Sequence, residues 1–190
     1  MIYLDGKFKI NPPLQGIHLG YLDRFNHIRH MKRDVLLLEN LRDPLREAVG
    51  LSLGLEGAYY VAGEMMVSDY YDNPTILDSN RPPQGLPALW CCWQPTGDGE
   101  YFLWNHSDKY YNHKTWLEYL IEHFFNPWNY TLSGRIESSY YYCEYIYPNG
   151  DDEDDEDEVE VRCVEKSEII INDDNIVIEN VLGTFIDEQE

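Results

Sequence analysis

Positive charge is the scarcest ingredient of this 190-residue chain: 14 Lys and Arg stand against 35 Asp and Glu, a formal net charge of −21. A body so negative repels nucleic acid and anionic lipid, and it attracts basic surfaces or metal cations. Long apolar runs are lacking as well. No stretch approaches the roughly 20 residues that would cross a bilayer. Met1-Ile2-Tyr3-Leu4-Asp5-Gly6-Lys7 has none of the charged-then-apolar order of a secretion signal. Cysteine is limited to Cys91, Cys92, Cys143 and Cys163. On a strand, adjacent Cys91 and Cys92 would face opposite sides, which suits neither a bridge nor a shared metal. All four are expected to be free thiols in the reducing cytoplasm. A Gly-rich phosphate loop, a nucleophile elbow and paired metal-binding motifs are all missing. The expectation is therefore no cofactor, no metal and no recognisable catalytic machinery.

Aromatic residues, by contrast, are abundant: 16 Tyr, 6 Phe and 5 Trp. Such rings favour strands and carry large buried areas, so they predict a sheet-rich core with some aromatic surface left over. The length suits one domain over 1–190, with an acidic loop at 151–158 and a frayed C-terminus. Ile2 to Ile10 alternates as a strand, stopped by Asn11-Pro12-Pro13. Tyr21 to Arg33 has no clean period and permits a short helix, and Val35 to Leu38 is a brief apolar run. Asp43 to Gly50 reads as a helix capped by Asp43, with Pro44 in its first turn and Gly50 at its end. A strand is expected over Ala58 to Val67 and a long loop over Asp69 to Pro87. Leu89 to Gln94 and Tyr101 to Asn105 form a hairpin around Pro95-Thr96-Gly97-Asp98-Gly99.

The clearest element is a helix over Lys114 to Phe125, with Asn112 as its cap. It places Trp116, Leu117, Leu120, Ile121 and Phe124 on one stripe. Further strands follow at Tyr130 to Leu132, Arg135 to Tyr147, Val159 to Val164, Glu168 to Ile171 and Asn175 to Val181, with a turn at Asn172 to Asn175. The fold class is α+β: a mainly antiparallel sheet with one principal amphipathic helix packed on it.

Several stretches resemble a group of uncharacterised proteins common in bacterial and phage genomes. They are Met31-Lys32-Arg33-Asp34, Asp43 to Leu51, Pro82-Pro83, Leu89-Trp90-Cys91 with Trp93, Lys109-Tyr110-Tyr111, Trp116 to Ile121 and Pro127-Trp128. The likeness spans roughly the first 135 residues and departs at Cys92, where the group carries Gln, and at Asn129, where it carries Gly. No activity attaches to the group, so the resemblance implies a fold shared with phage-type proteins and little else.

Four constellations carry candidate function. The first is the run Asp151, Asp152, Glu153, Asp154, Asp155, Glu156, Asp157, Glu158. It is either a solvated loop or a mimic of a phosphate backbone aimed at a protein that holds nucleic acid. Without these eight acids the rest still has 27 acids against 14 bases, or −13. The second is the basic segment Arg24, His27, Arg29, His30, Lys32, Arg33, read as a phosphate site or as partners for the chain's own acids. The third is the strand Tyr140 to Tyr147. Alternation puts Tyr140, Tyr142, Glu144 and Ile146 on one face and Tyr141, Cys143, Tyr145 and Tyr147 on the other, one face packing on the core and one free for a partner. The fourth is Asp98, His106, Ser107, Asp108 and His113, whose types suit acid–base chemistry but whose spacing matches no known requirement. The five tryptophans read as core, with one of Trp90 and Trp93 exposed.

Together these features favour a non-enzymatic acidic protein that binds a basic protein surface through Tyr140, Tyr142, Glu144 and residues 151–158. The alternatives are a small hydrolase or ligand-binding enzyme near His106 and His113, and an assembly component.

Overall fold

The computed structural model describes residues 2–63, 73–106, 112–146, 159–172 and 174–186. Its first strand, β1 (Ile2–Asn11), buries Ile2, Leu4, Phe8 and Ile10 and turns Tyr3, Asp5, Lys7 and Lys9 outward. That is the alternation a half-buried strand requires. β1 pairs antiparallel with β5 (Tyr101–Trp104) on one side and with β6 (Thr131–Ile146) on the other. β6 pairs in turn with β7 (Val159–Ile171), and β7 with β8 (Val177–Ile186). Adding β4 (Trp93–Pro95) at the far edge gives a six-stranded sheet in the order β4-β5-β1-β6-β7-β8. The chain is an α+β domain, with this antiparallel sheet at its centre.

Helices cover one face. α1 (Gly16–His27) buries Tyr21, Leu22 and Phe25. α4 (His113–Leu120) buries Trp116, Leu117 and Leu120 and runs straight into a π-helical turn, Ile121–Phe125, which buries Ile121, Phe124 and Phe125. Phe25 meets Phe124 edge-on at 4.9 Å, and Phe102 of β5 meets Phe125 at 5.3 Å. Each such side chain removed from water stabilises the fold by about 1.5–3 kcal/mol, so this aromatic layer fixes where the helices lie. The apolar stripe expected over 114–125 is therefore the core stripe. Asn112 stands at the N-cap position of α4 but makes no side-chain capping bond.

Local chemistry explains most of the smaller elements. α3 (Pro44–Ala48) begins where Asp43 accepts from the Arg46 amide, while Glu47 reaches back to the Asp43 amide, a reciprocal cap. The brief apolar run is a one-turn helix, α2 (Val35–Leu38), capped by Asp34. β2 (Lys32–Arg33) pairs with β3 (Ile76–Asp78) inside what sequence suggests is an uninterrupted loop. The strand expected at Ala58 is not there. Ala58 to Gly63 follows a 3-10 turn (Leu55–Gly57), and its backbone is held by side chains instead of a ladder: the Val61 amide donates to Asp43 and its carbonyl accepts from Arg24. The remainder of that expectation, 64–67, lies outside the described residues, as do 69–72 of the long loop and the C-terminal residues 187–190.

The two pairs of strands read as separate are continuous, because a glycine and a bulge are absorbed without ending the ladder. In β6 the join is Gly134, and in β7 it is Lys166-Ser167, opposite a bulge at Leu182. The hairpin at 95–99 and the turn closing through Asn172 and Asn175 stand where expected. Cys91 and Cys92 do not occupy a strand. Cys92 adopts φ 60°, and both side chains are buried, so the opposite-face reading fails there. Asn129 also takes a left-handed backbone, φ 60°.

The sheet is strongly curled. Continuing the Phe8–Phe102 register puts Trp104 opposite Gly6, so one row runs Trp93, Trp104, Gly6, Ile136, Ile169, Glu179. Laid flat, its ends would stand five strand spacings, about 24 Å, apart. Yet one residue touches both: the Trp93 indole donates to the His113 carbonyl at 3.0 Å, and His113 Nε2 is 3.3 Å from Glu179 Oε1. Gly6 sits mid-row at φ +122°, and a Cβ there would lie 2.8 Å from the Arg135 carbonyl oxygen. Gly6→Ala is therefore expected to destabilise the protein by more than about 1 kcal/mol. Gly16, at the start of α1 with nothing near its would-be Cβ, should accept alanine at no cost. Urea denaturation of the two variants checks this; equal midpoints would contradict the curl-by-glycine account.

Candidate functional site

Ile146 pairs with Val159, so residues 147–158 connect β6 to β7 and the run Asp151 to Glu158 belongs to that connection. The run itself lies outside the described residues. Its two supporting strands are long. Among the described residues β1 pairs as far as Tyr140 and β8 as far as Cys163, and the β6–β7 ribbon goes on pairing from Cys143–Arg162 through Ile146–Val159.

Tyrosines crowd the base of that ribbon. Tyr140 and Tyr142 stack on one face at 5.6 Å, as alternation requires, and Tyr141 stands on the other. The face of Tyr140 continues Leu132, Ile136 and Ser138, which are buried, so it is the helix-covered face. At Tyr140, 37% exposed, that cover gives out, and Tyr141 is 39% exposed on the reverse. The expectation that one face is core and one free is thus corrected: at this end both faces show rings. Glu144 lies on the same strand opposite Val161, and only its strand position is described.

Where the cover gives out, a cavity of about 200 Å³ opens. Its cause is the row Ser138–Ser167, two small side chains directly opposite each other between the rows Ile136–Ile169 and Tyr140–Glu165. Ile2 of β1, His113 at the start of α4 and Glu179 of β8 complete the lining. Glu179 Oε1 accepts from the Ser167 hydroxyl at 3.3 Å and stands 3.3 Å from His113 Nε2. In a nucleophilic triad the imidazole stands between hydroxyl and carboxylate. Here the carboxylate stands in the middle, so the imidazole does not reach the Ser167 hydroxyl. The volume is also below the roughly 300–1,000 Å³ typical of small-molecule sites.

The other candidates go elsewhere. His106 is exposed, packs on Trp104 at 4.9 Å and does not line the cavity. Asp98 accepts from Thr96 Oγ1 and from the Glu100 amide, bonds that hold its carboxyl below the usual range and close the hairpin turn. Ser107 and Asp108 lie outside the described residues. Among the described residues no three His, Cys, Asp or Glu side chains stand close enough to share a metal, and no helix is long and apolar enough to cross a membrane. Trp93, Trp104 and Trp116 are buried, Trp128 is partly buried, and Trp90 is 41% exposed.

The basic segment turns inward. Arg24 donates to the carbonyls of Val61 and Gly63, Arg29 to the Ser79 carbonyl and Asn80, and Arg33 to Thr75, with its guanidinium 5.1 Å from the Tyr60 ring. Lys32 pairs with Glu56 at 2.6 Å. Among the described residues the partners include the backbone carbonyls of Val61, Gly63 and Ser79 and one acid, Glu56. His27 contacts Gln94 at 3.1 Å. The bases thereby tie α1 and β2 to the loops at 53–63 and 73–81.

The chain matches no family model, no curated protein and no solved structure, so the site is read from its own chemistry.

His30 is fully enclosed by Phe25 and Trp116, and burial pushes its pKa down to about 3. Its Nε2 has no hydrogen-bond partner among the described residues. The unfolded imidazole titrates near 6.5, so the stability from keeping it neutral is complete above that pH and is lost as pH falls from about 6.5 toward 3, by about 1 kcal/mol per unit. Denaturation between pH 7 and 5 should show this slope, and His30→Gln should flatten it. An unchanged slope in the variant assigns the acid sensitivity to other groups.

Proposed function

We propose that this chain is a non-enzymatic acidic binding protein of phage or mobile-element type, which engages a basic surface of a host protein and blocks it. The strand pairing of Ile146 with Val159 carries this reading. It fastens both ends of the eight-carboxylate run to a pair of strands that, among the described residues, go on pairing beyond β1 and β8. A free acidic tail is a poor imitation of a phosphate backbone because nothing fixes its place, whereas a run anchored on paired strands is presented from a defined position. Carboxylates set the encounter rate, and the half-exposed rings of Tyr140 and Tyr141 supply contact area. A nucleic-acid-handling or defence complex offers the matching charge. The setting is the cytoplasm of the host cell.

Two alternatives are weaker. An enzyme of the nucleophilic-triad kind at His113 needs the imidazole within reach of a hydroxyl, and Glu179 stands between His113 and Ser167. An assembly component draws support from the sheet edge, where Ile178, Val181, Leu182, Phe185 and Ile186 of β8 are exposed; such an edge pairs readily with another chain. Self-association in sedimentation at moderate concentration would favour that alternative.

Affinity capture from the natural host, followed by binding kinetics with the captured partner, tests the main reading. Association should slow at least about tenfold between low and physiological salt. Replacing the eight acids at 151–158 by their amides should slow it comparably at low salt and leave dissociation nearly unchanged. An association rate indifferent to both changes would exclude electrostatic engagement.

A further inference from the structure

The cavity at the base of the ribbon has an unusual balance of groups. Ser138 is buried at its floor, 4% exposed, and its hydroxyl hydrogen-bonds to no described residue. Glu165 stands on the lining directly opposite Tyr140 and forms no ion pair or hydrogen bond with any described residue. On the far wall Glu179 engages Ser167 and His113 through one oxygen, Oε1. The Ser138 hydroxyl is open to the cavity and offers an acceptor there. The exposed Glu165 carboxylate beside it offers further acceptor oxygens. Both residues line the same space, and Tyr140 lines it with them.

We infer that this cavity receives the guanidinium of an arginine side chain presented by the partner protein. The inference rests on the reading given under Proposed function and names the group which that reading leaves open.

Charge decides the sign of the guest. Two carboxylates line the space, so an anion is repelled and a cation is attracted. Shape decides the kind of cation. A guanidinium is planar, carries five donors in a fixed fork and stacks on aromatic faces, whereas an ammonium is a compact, strongly hydrated point charge. The acceptors here are spread over β6, β7 and β8: the Ser138 hydroxyl, the Glu165 carboxylate and Glu179. A fork reaches several of them at once, and the Tyr140 ring provides a stacking face. Size agrees as well. A cavity of about 150 Å³ accommodates a benzene-sized guest, and this one, about 200 Å³, takes a side-chain head but not a drug-sized molecule. The position fits a docking role, since the cavity opens beside the tyrosines at the base of the acidic ribbon.

Titration of the isolated full-length protein with Nα-acetyl-arginine amide, followed by amide NMR shifts, tests this without any partner. The amide mimics arginine within a chain. Expected are saturable shifts centred on Ser138, Tyr140 and Ser167, with a millimolar Kd. The matched lysine amide should bind at least about fivefold more weakly, and Glu165→Gln should weaken the arginine amide by a similar factor. Glu165 is solvent-exposed, so that variant is expected to fold; Ser138→Val, which fills the floor, provides an independent loss. Absence of shifts at these residues, equal binding of lysine, indifference to Glu165→Gln, or binding of agmatine with exclusion of the blocked amide would each overturn the inference. Because no partner is present, failure here leaves the salt and amide-replacement kinetics untouched. Loss of those kinetic effects would likewise leave cavity binding untouched.

Discussion

Everything in this protein hangs on β6 holding its register with β1 on one side and β7 on the other. That register assigns Leu132, Ile136 and Ser138 to the helix side, sets Ser138 opposite Ser167 and Tyr140 opposite Glu165, and makes the acidic run the connection between two paired strands. A slip of one residue would turn every one of these side chains to the other face. Ten consecutive pairs with β1, including the tight Gly6–Ile136 contact, resist such a slip. The curl this allows brings both edge strands to His113, so α4 is tied to both edges of the sheet as well as packed on its face. The cavity is a by-product of the same geometry: cover ends near His113, and the serine row leaves room beneath it.

Electrostatically, the molecule keeps its few cations for itself. Arg24, Arg29, Arg33 and Lys32 are directed to carbonyls, Thr75, Asn80 and Glu56, and Arg46 is held by Asp43 and the Leu51 carbonyl. Such inward-turned bases anchor loops and leave the surface charge dominated by carboxylates. A surface of this kind repels further copies of itself at long range, within a screening length of about 8–10 Å at physiological salt. The same field draws in a cationic partner. The exposed apolar edge on β8 is thereby set within a surface that disfavours pairing of two like chains.

Much of this was legible in the sequence, and the exceptions share a cause. The stripe Trp116, Leu117, Leu120, Ile121, Phe124, the alternation of β1, and the cap at Asp43 are local patterns, and local patterns are visible without a fold. α1 was obscured because Asn26 is buried among its apolar residues and basic residues crowd its end. The strand expected at Ala58 failed because apolar alternation cannot reveal that Asp43 and Arg24 would take over its backbone groups. For the site, the stacking of Tyr140 on Tyr142 followed from alternation alone. Ser138, Ser167, Glu165 and Glu179 were missed because no spacing joins them. They meet only through cross-strand register, and two serines in a strand carry no signal until each is found opposite the other.

The central claim is that the place of the acidic run matters and not merely its charge. It is tested most directly by moving the run: residues 151–158 are replaced by an uncharged Ser/Gly segment, and the eight acids are appended after Glu190, so the net charge stays at −21. The association rate with the captured partner at low salt should fall to that of the amide-replaced protein. A relocated run that associates as fast as the original would show that overall charge suffices, and the ribbon would lose its role.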